Sequence, residues 1–475
     1  MIRSFGFLAD TWAKEQPEGV AIDGPRGAVS YAMLQLQTMA WARWLHAGGV
    51  HAGVSVGVAV RDETQHLLVT LALLRLGARQ ISLASHDATD QHRYLCDRVG
   101  VTRCLSDFDF SAPAGLPVLK LPALAPEAPE LPALDEADEG GIYFTGSGTT
   151  GIPKIIFFSQ SYLAMQALRG YGDYRSERIY RTASVEFNNS KRLRLYTLYL
   201  GGTCVLKMDK DKSIHAMCRE HHVTWLELAT FNAQDCVRAS QSLGPLPEYT
   251  KVRIGGARIP IELRKDFTEK VCPRLYVSYG ATEVGGITFC PPDKVTDARE
   301  TVGRPLPCVN LEIVDAADQP VPKGEVGHVR LKSSGMAEGY VGNEDASLYA
   351  FRNGWFYPSD MARIDADGYV VVLGRRDDMM ILNSINIYPA EIERVLESFP
   401  QVMEAACIPL KSPTHGEIPV AVVILNEGQD TTAAELLSLA RRALGVRAPR
   451  AINIVTEFPR NSQGKVVKRQ LAEMF

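Results

Sequence analysis

The strongest constraint on the fold is a repeated alternation of two patterns. GVSVGVAV (Gly53–Val60) reads as a buried strand, and QHLLVTLALLRLGA (Gln65–Ala78) follows it as an apolar helix that stops at a glycine. GTCVLKM (Gly202–Met208) and KVRIGG (Lys251–Gly256) are further strand candidates within the same alternation, which fills most of the first 370 residues. Strands separated by helices predict α/β layers built on parallel sheet. From Asn310 to Val372 the pattern changes to short strands with Gly and Pro turns, LEIVD, GHVRLKSSG and DGYVVVLG, which predicts a small β-rich subdomain. After GRRDD (Gly374–Asp378) the remaining residues carry α and β patterns of their own. At 475 residues the chain is too long for one ordinary core. The expectation is a large domain over 1–374, layered α/β with the β-rich subdomain, and a small α+β domain over 375–475. The stretch from Ser111 to Leu134, rich in Pro, Ala and Leu, reads as an extended surface connection.

Composition removes several classes of function. A net charge of −4 gives no global electrostatic case for nucleic acid or a membrane surface. The longest apolar stretch, Leu67 to Leu74, ends at Arg75 and is too short to span a bilayer. The start, MIRSFGFLADTWAKEQ, has too short an apolar run for a signal peptide. The nine cysteines are dispersed, with no C-x-x-C pair and no zinc spacing. An odd, scattered set suits a reducing cytosol, so a cytoplasmic location is expected.

The chemistry concentrates in YFTGSGTTGIPK (Tyr143–Lys154). The glycines let backbone N–H groups turn toward an anion, Thr145, Ser147, Thr149 and Thr150 add hydroxyls, and Lys154 adds charge. Gly146 and Gly151 have the P-loop spacing, but Ile152 stands where that pattern requires lysine. The loop is a phosphate clamp of another kind.

It resembles the [YF]-[TS]-S/G-G-T-T-G-x-P-K loop of the adenylate-forming superfamily: acyl-CoA synthetases, adenylation domains of peptide synthetases, and luciferases. The likeness continues along almost the whole chain. VSYGATEVGG (Val277–Gly286) is similar to the family's Y-G-x-T-E element, GGARIP (Gly255–Pro260) to its adenine-pocket turn, and GWFYPSD…GRRDD to its G-W-[FY]-x-T-G-D…G-R-x-D-D segment. There Pro358 and Ser359 replace the usual Thr and Gly. PRNSQGKVVKRQL (Pro459–Leu471) is similar to the final P-x-x-x-x-G-K motif.

The resemblance implies an AMP-forming ligase using ATP, Mg²⁺ and a carboxylic acid. It implies that Thr145, Gly146, Ser147, Gly148, Thr149, Thr150, Gly151 and Lys154 hold phosphates. Glu283 would hold Mg²⁺, Thr282 would donate to a phosphate, Tyr279 and Gly280 would lie by the adenine, and Gly256 and Ala257 would lie along the base. Asp360 would accept from the ribose hydroxyls, Arg375 would reach the ribose or a phosphate, Asp377 would be the hinge, and Lys465 would swing in between carboxylate and α-phosphate. GRPLP and GEVGHVRLKSSGMAEGY (Gly324–Tyr340) would be mostly architectural. No Ser-His-Asp or Cys-His signature is present, and the reaction needs no covalent nucleophile.

The acid pocket is expected around Phe187, Asn188, Gly255 and Gly286, with SVEFNNSKRLRLY (Ser184–Tyr196) lining it. Family members for α-amino acids carry Phe-Asp there, the aspartate pairing the ammonium. Asn188 in that place disfavours an α-amino acid, although Glu186 offers a substitute partner, and points to an aromatic or short unsaturated acid. MMILNSINIYPAEIE (Met379–Glu391) resembles the thiol-tunnel element, with Ile381 for a common lysine and Ser384 for a common glycine. From Arg441 to Arg469 eight basic residues face one acid, Glu457. This is either a solvated face or a dock for the phosphates of CoA or for an acidic acyl carrier protein acting in trans. CoA is the expected acceptor, and carrier phosphopantetheine the alternative.

Overall fold

A computed structural model describes residues 4–125, 127–131, 140–146, 153–169, 175–208, 212–382, 385–412, 416–461 and 464–475. The alternation of strand and helix builds two open sheets. In one, the strands Val118–Lys120, Val101–Ser106, Ser55–Ala59, Arg79–Ser82 and Gly141–Gly146 are parallel, and Lys154–Ser159 closes the edge antiparallel. In the other, Leu275–Ala281, Lys251–Gly255, Trp225–Leu228, Arg178–Arg181, Thr203–Val205 and Val20–Gly24 form the parallel centre. Antiparallel Gly285–Cys290 and Arg304–Pro305 extend one side and Gly27–Ser30 the other.

Ser55–Ala59 is buried at every position, and the helix Glu63–Arg75 buries everything from Thr64 to Leu74. A helix buried on every face belongs between layers. Asp62 caps it by accepting from the Gln65 N–H at 2.8 Å, and Gly77, at φ 67°, turns the chain into the next strand. Two expectations needed correction. Of Gly202–Met208 only Thr203–Val205 is strand. The stretch expected as an extended connection makes a tight turn at Pro113–Gly115 and then a short strand, Val118–Lys120. That strand pairs with the otherwise open edge of Val101–Ser106, which satisfies backbone groups that a free edge would leave exposed.

The β-rich subdomain is an antiparallel sheet of Phe351–Arg352, Trp355–Phe356, Gly327–Ser333, Asp360–Ile364 and Val370–Arg375, with Val309–Val314 beside Gly327–Ser333. The small C-terminal domain centres on Val402–Ser412, Gly416–Leu425 and Ala451–Ile454. Its sheet has a core on each face. Ala405 and Cys407 pack toward the helices Pro389–Glu397 and Ala433–Leu444, while Ala406 and Ile408 pack with Phe458 and Leu471. That is the period-two alternation of a strand with both faces covered.

The two domains meet through buried charge. Arg258 donates to both oxygens of Glu300, at 2.8 and 3.0 Å, and to Glu397 of the small domain. Arg394 of the small domain donates to Glu300 at 2.8 Å. Among the described residues, no helix is long and apolar enough to cross a membrane.

Candidate active site

The Y-G-A-T-E segment is a tight hairpin. The strand Leu275–Ala281 turns through Thr282, Glu283 and Val284 into Gly285–Cys290. A Cβ at Gly280 would lie 2.6 Å from the Gly285 carbonyl oxygen, so only glycine allows the two strands to close here. The turn thrusts Glu283 toward the hairpin that ends in Gly146 and restarts at Lys154. A Cβ at Gly146 would stand 3.9 Å from Glu283 Oε1, in front of the carboxylate. Tyr340 donates its hydroxyl to Glu283 Oε1 at 2.8 Å, and the Lys154 ammonium lies 4.8 Å from the centre of the Tyr340 ring. Burial and the Glu283 charge hold the Tyr340 phenol well above its ordinary pKa, so it remains a donor. Tyr340 was not expected at the site; its segment was read as mostly architectural.

A second corner is built by strand register. Asp360 and Arg375 are direct partners across the antiparallel pair Asp360–Ile364 and Val370–Arg375. Tyr279 donates its hydroxyl to Asp360. Burial raises the Asp360 carboxyl above the usual range, against the pull of Tyr279 and Arg375. Arg375 also donates to Asp377 at 3.1 Å, and Asp377 itself is exposed.

Lys465 reaches this corner from the small domain. It sits on a turn in which Asn461 accepts from the Lys465 N–H at 3.0 Å and donates its own N–H to the Lys465 carbonyl at 2.9 Å. Gly464 precedes it at φ 76°, and a Cβ there would fall 1.9 Å from a ring carbon of Phe231 in the large domain. The glycine therefore lets the lysine turn lie directly against Phe231. Lys465 is exposed as a residue, yet the protein around its ammonium and the nearby Arg375 charge lower its pKa, while Asp360 pulls it up.

The helix Asn188–Tyr199 closes the third side. Asn188 donates to the Thr145 carbonyl at 3.1 Å and hydroxyl at 2.5 Å, which ties this helix to the start of the glycine-rich segment Tyr143–Lys154. One turn on, Arg192 donates to the Thr282 carbonyl at 2.9 Å. Phe187 packs on the His86 ring, 4.7 Å between centres, and Glu186 accepts from Ser85. Gly286 pairs with Gly280, and Gly255 with Ser278, where a Cβ would meet Ser278 Oγ at 2.7 Å. Gly256, at φ 90°, and Ala257 form the exposed turn that follows. Ser147, Gly148, Thr149, Thr150, Gly151 and Ser384 lie outside the described residues. Arg192 was not singled out from sequence, although three cations in a segment otherwise bound for the interior were a visible signal.

Comparison with known proteins gives a consistent picture. The family model described as AMP-binding enzyme matches residues 9–341, and that described as AMP-binding enzyme C-terminal domain matches 391–465. The chain is 26% identical over 482 residues to a 2-succinylbenzoate–CoA ligase of Geobacillus kaustophilus, covering 98% of this chain and 97% of that one. It is 26% identical over 489 residues to a feruloyl-CoA synthase of an Amycolatopsis species, again covering 98% and 97%. Its fold is similar to that of the o-succinylbenzoate CoA synthetase of Bacillus subtilis in complex with its acyl-adenylate intermediate, with TM-score 0.84, 23% identity and coverage of 98% and 97%. The same synthetase has been solved with ATP and magnesium ion, with TM-score 0.86, 23% identity and coverage of 98% of each chain.

Proposed function

The chain belongs to the AMP-binding enzymes, and from that premise we propose that it joins a carboxylic acid to AMP, releases pyrophosphate, and passes the acyl group to CoA. A carboxylate is inert toward thiols because its leaving group would be an oxide. The mixed anhydride with AMP supplies a good leaving group. One carboxylate oxygen bonds to the α-phosphorus of ATP as the bond to the pyrophosphate oxygen breaks. Two anions must approach, so the protein's task is to place positive charge and donors where they meet.

The observation that carries this reading is the placement of Lys465. Its turn packs against Phe231 of the large domain, and its ammonium lies within electrostatic reach of Asp360 and Arg375. On this reading Asp360 accepts from the ribose hydroxyls, Arg375 steadies the nucleotide, and Lys465 bridges the acid and the α-phosphate. Lys154 and the hydroxyl loop hold the departing phosphates. The donor set also suits Mg²⁺: Glu283 gives one oxygen to Tyr340 and keeps the other clear of described partners, and this ion is commonly held by one or two carboxylates with substrate phosphates. Bound there, Mg²⁺ would neutralise phosphate charge. Rotation about Asp377 would then withdraw Lys465 and admit the thiol.

The curated relatives named above are CoA ligases, which favours CoA over a carrier protein and agrees with an aromatic acid as substrate. The test is acid-dependent exchange of pyrophosphate into ATP across an acid panel, followed by CoA thioester formation. Release of ADP instead of AMP would sink the reading. Acylation of a carrier's phosphopantetheine without CoA thioester would replace the acceptor.

A further inference from the structure

The helix Asn188–Tyr199 buries Lys191, Arg192 and Arg194, at 0%, 5% and 4% exposure. Arg194 is matched: it donates to Glu63 at 3.2 Å, to two backbone carbonyls and to Ser190. The other two are not matched by any carboxylate bonded to them among the described residues. Among the described residues Lys191 Nζ has no hydrogen-bond partner, and burial brings its pKa down to about 7, against a pull from Glu186. A buried lysine relieves its cost by giving up the proton. Arginine cannot. Arg192 thus places a guanidinium in the interior, with one donor on the Thr282 carbonyl and its guanidinium 5.7 Å from the centre of the Phe144 ring. Such a charge calls for an anion.

The position says which anion. Arg192 follows Asn188 by one turn and shares its face, so both look from the helix toward Thr145 and Thr282. The phosphate corner already holds Lys154, and the ribose corner holds Arg375 and Lys465. Arg192 is the fixed cation of the third corner, where the acid is placed. Its guanidinium fork matches a carboxylate. Resting on the adenylation reading above, we propose that Arg192 is a specificity determinant that binds a second anionic group of the acid, and that the substrate class is a dicarboxylic acid of which one carboxylate is activated.

The test is pyrophosphate exchange with succinate, glutarate, phthalate and 2-(carboxymethyl)benzoate, each beside its monomethyl ester, with benzoate and cinnamate as plain monoacids. Wild type should use at least one diacid with kcat/KM roughly 10²-fold above its half-ester, the scale of a lost charge-paired contact. Arg192→Met should reduce that preference to a few-fold by raising KM for the diacid far more than KM for ATP. Arg192→Lys should restore part of it. Equal use of diacid and half-ester, exchange with the monoacids alone, or a rise in KM for ATP in place of KM for the acid would overturn the proposal while leaving adenylation standing. Exchange with no acid of either kind would overturn the adenylation reading, and this inference with it.

Discussion

Arg258 of the large domain donates to Glu397 of the small domain, and the same guanidinium holds both oxygens of Glu300. With Arg394 closing the quartet from the small domain, two half-buried arginines and two buried carboxyl groups meet where the domains touch. The orientation that sets Lys465 within electrostatic reach of Asp360 is thus held by contacts that would have to separate for the proposed rotation of the small domain.

Glu300→Ala takes the shared carboxylate from between Arg258 and Arg394, leaving Glu397 as the one carboxylate of the quartet. Removing one member of such a buried network costs about 3–5 kcal/mol. Thermal melting should show the loss, and limited proteolysis should show the small domain released first. A melting temperature within error of wild type would contradict the latch.

The quartet should also titrate. Burial raises Glu397 to about 7, from an ordinary 4.5, against the pull of Arg258. Docking that favours the protonated form is fully supported below 4.5 and loses this contribution as pH rises through about 7. For Glu300, burial is outweighed by Arg258 and Arg394, which hold it at about 2. Its contribution is present above 4.5 and is lost as pH falls toward 2. Between 4.5 and 7, therefore, Glu397 alone changes. Melting of wild type relative to Glu397→Gln should decline across that window, and a difference that rises or stays level would refute the assignment.

Tyr340→Phe removes the hydroxyl that orients Glu283. Loss of such a supporting bond at a metal carboxylate typically costs 10–100-fold. Exchange activity should fall by roughly tenfold at limiting Mg²⁺ and recover in part at high Mg²⁺. An unchanged Mg²⁺ dependence would separate Glu283 from the metal.

Gly280→Ala forces a methyl group to within 2.6 Å of the Gly285 carbonyl. Backbone must shift to admit it, at about 1–3 kcal/mol. The variant should melt lower and lose exchange activity together, since the Thr282–Glu283 turn moves with the strand. Full activity would show that the hairpin tolerates opening.

Much of this was legible in the sequence because local patterns carried it. The buried strand Ser55–Ala59 and the helix Glu63–Arg75 announce themselves by apolar composition, and the glycines of Y-G-A-T-E and G-K mark places where backbones or a ring pass closely. Tyr340 and Arg192 were not legible in the same way. Tyr340 reaches Glu283 across 57 positions of chain, and Arg192 reaches Thr282 across 90. Neither has a spacing that betrays its partner. The edge strand Val118–Lys120 was missed because a run of three residues has no period to read, and only the open edge beside it makes it a strand.

The most direct test of the central claim separates the two half-reactions in Lys465→Ala. If Lys465 acts only where carboxylate meets α-phosphate, adenylation should fall by at least about 10²–10³, the scale of losing one donor to a transition state. Thioester formation from pre-formed acyl-adenylate and CoA should stay close to wild type, because the small domain has then carried Lys465 away. Equal damage to both halves, in a variant whose melting temperature is unchanged, would contradict the account.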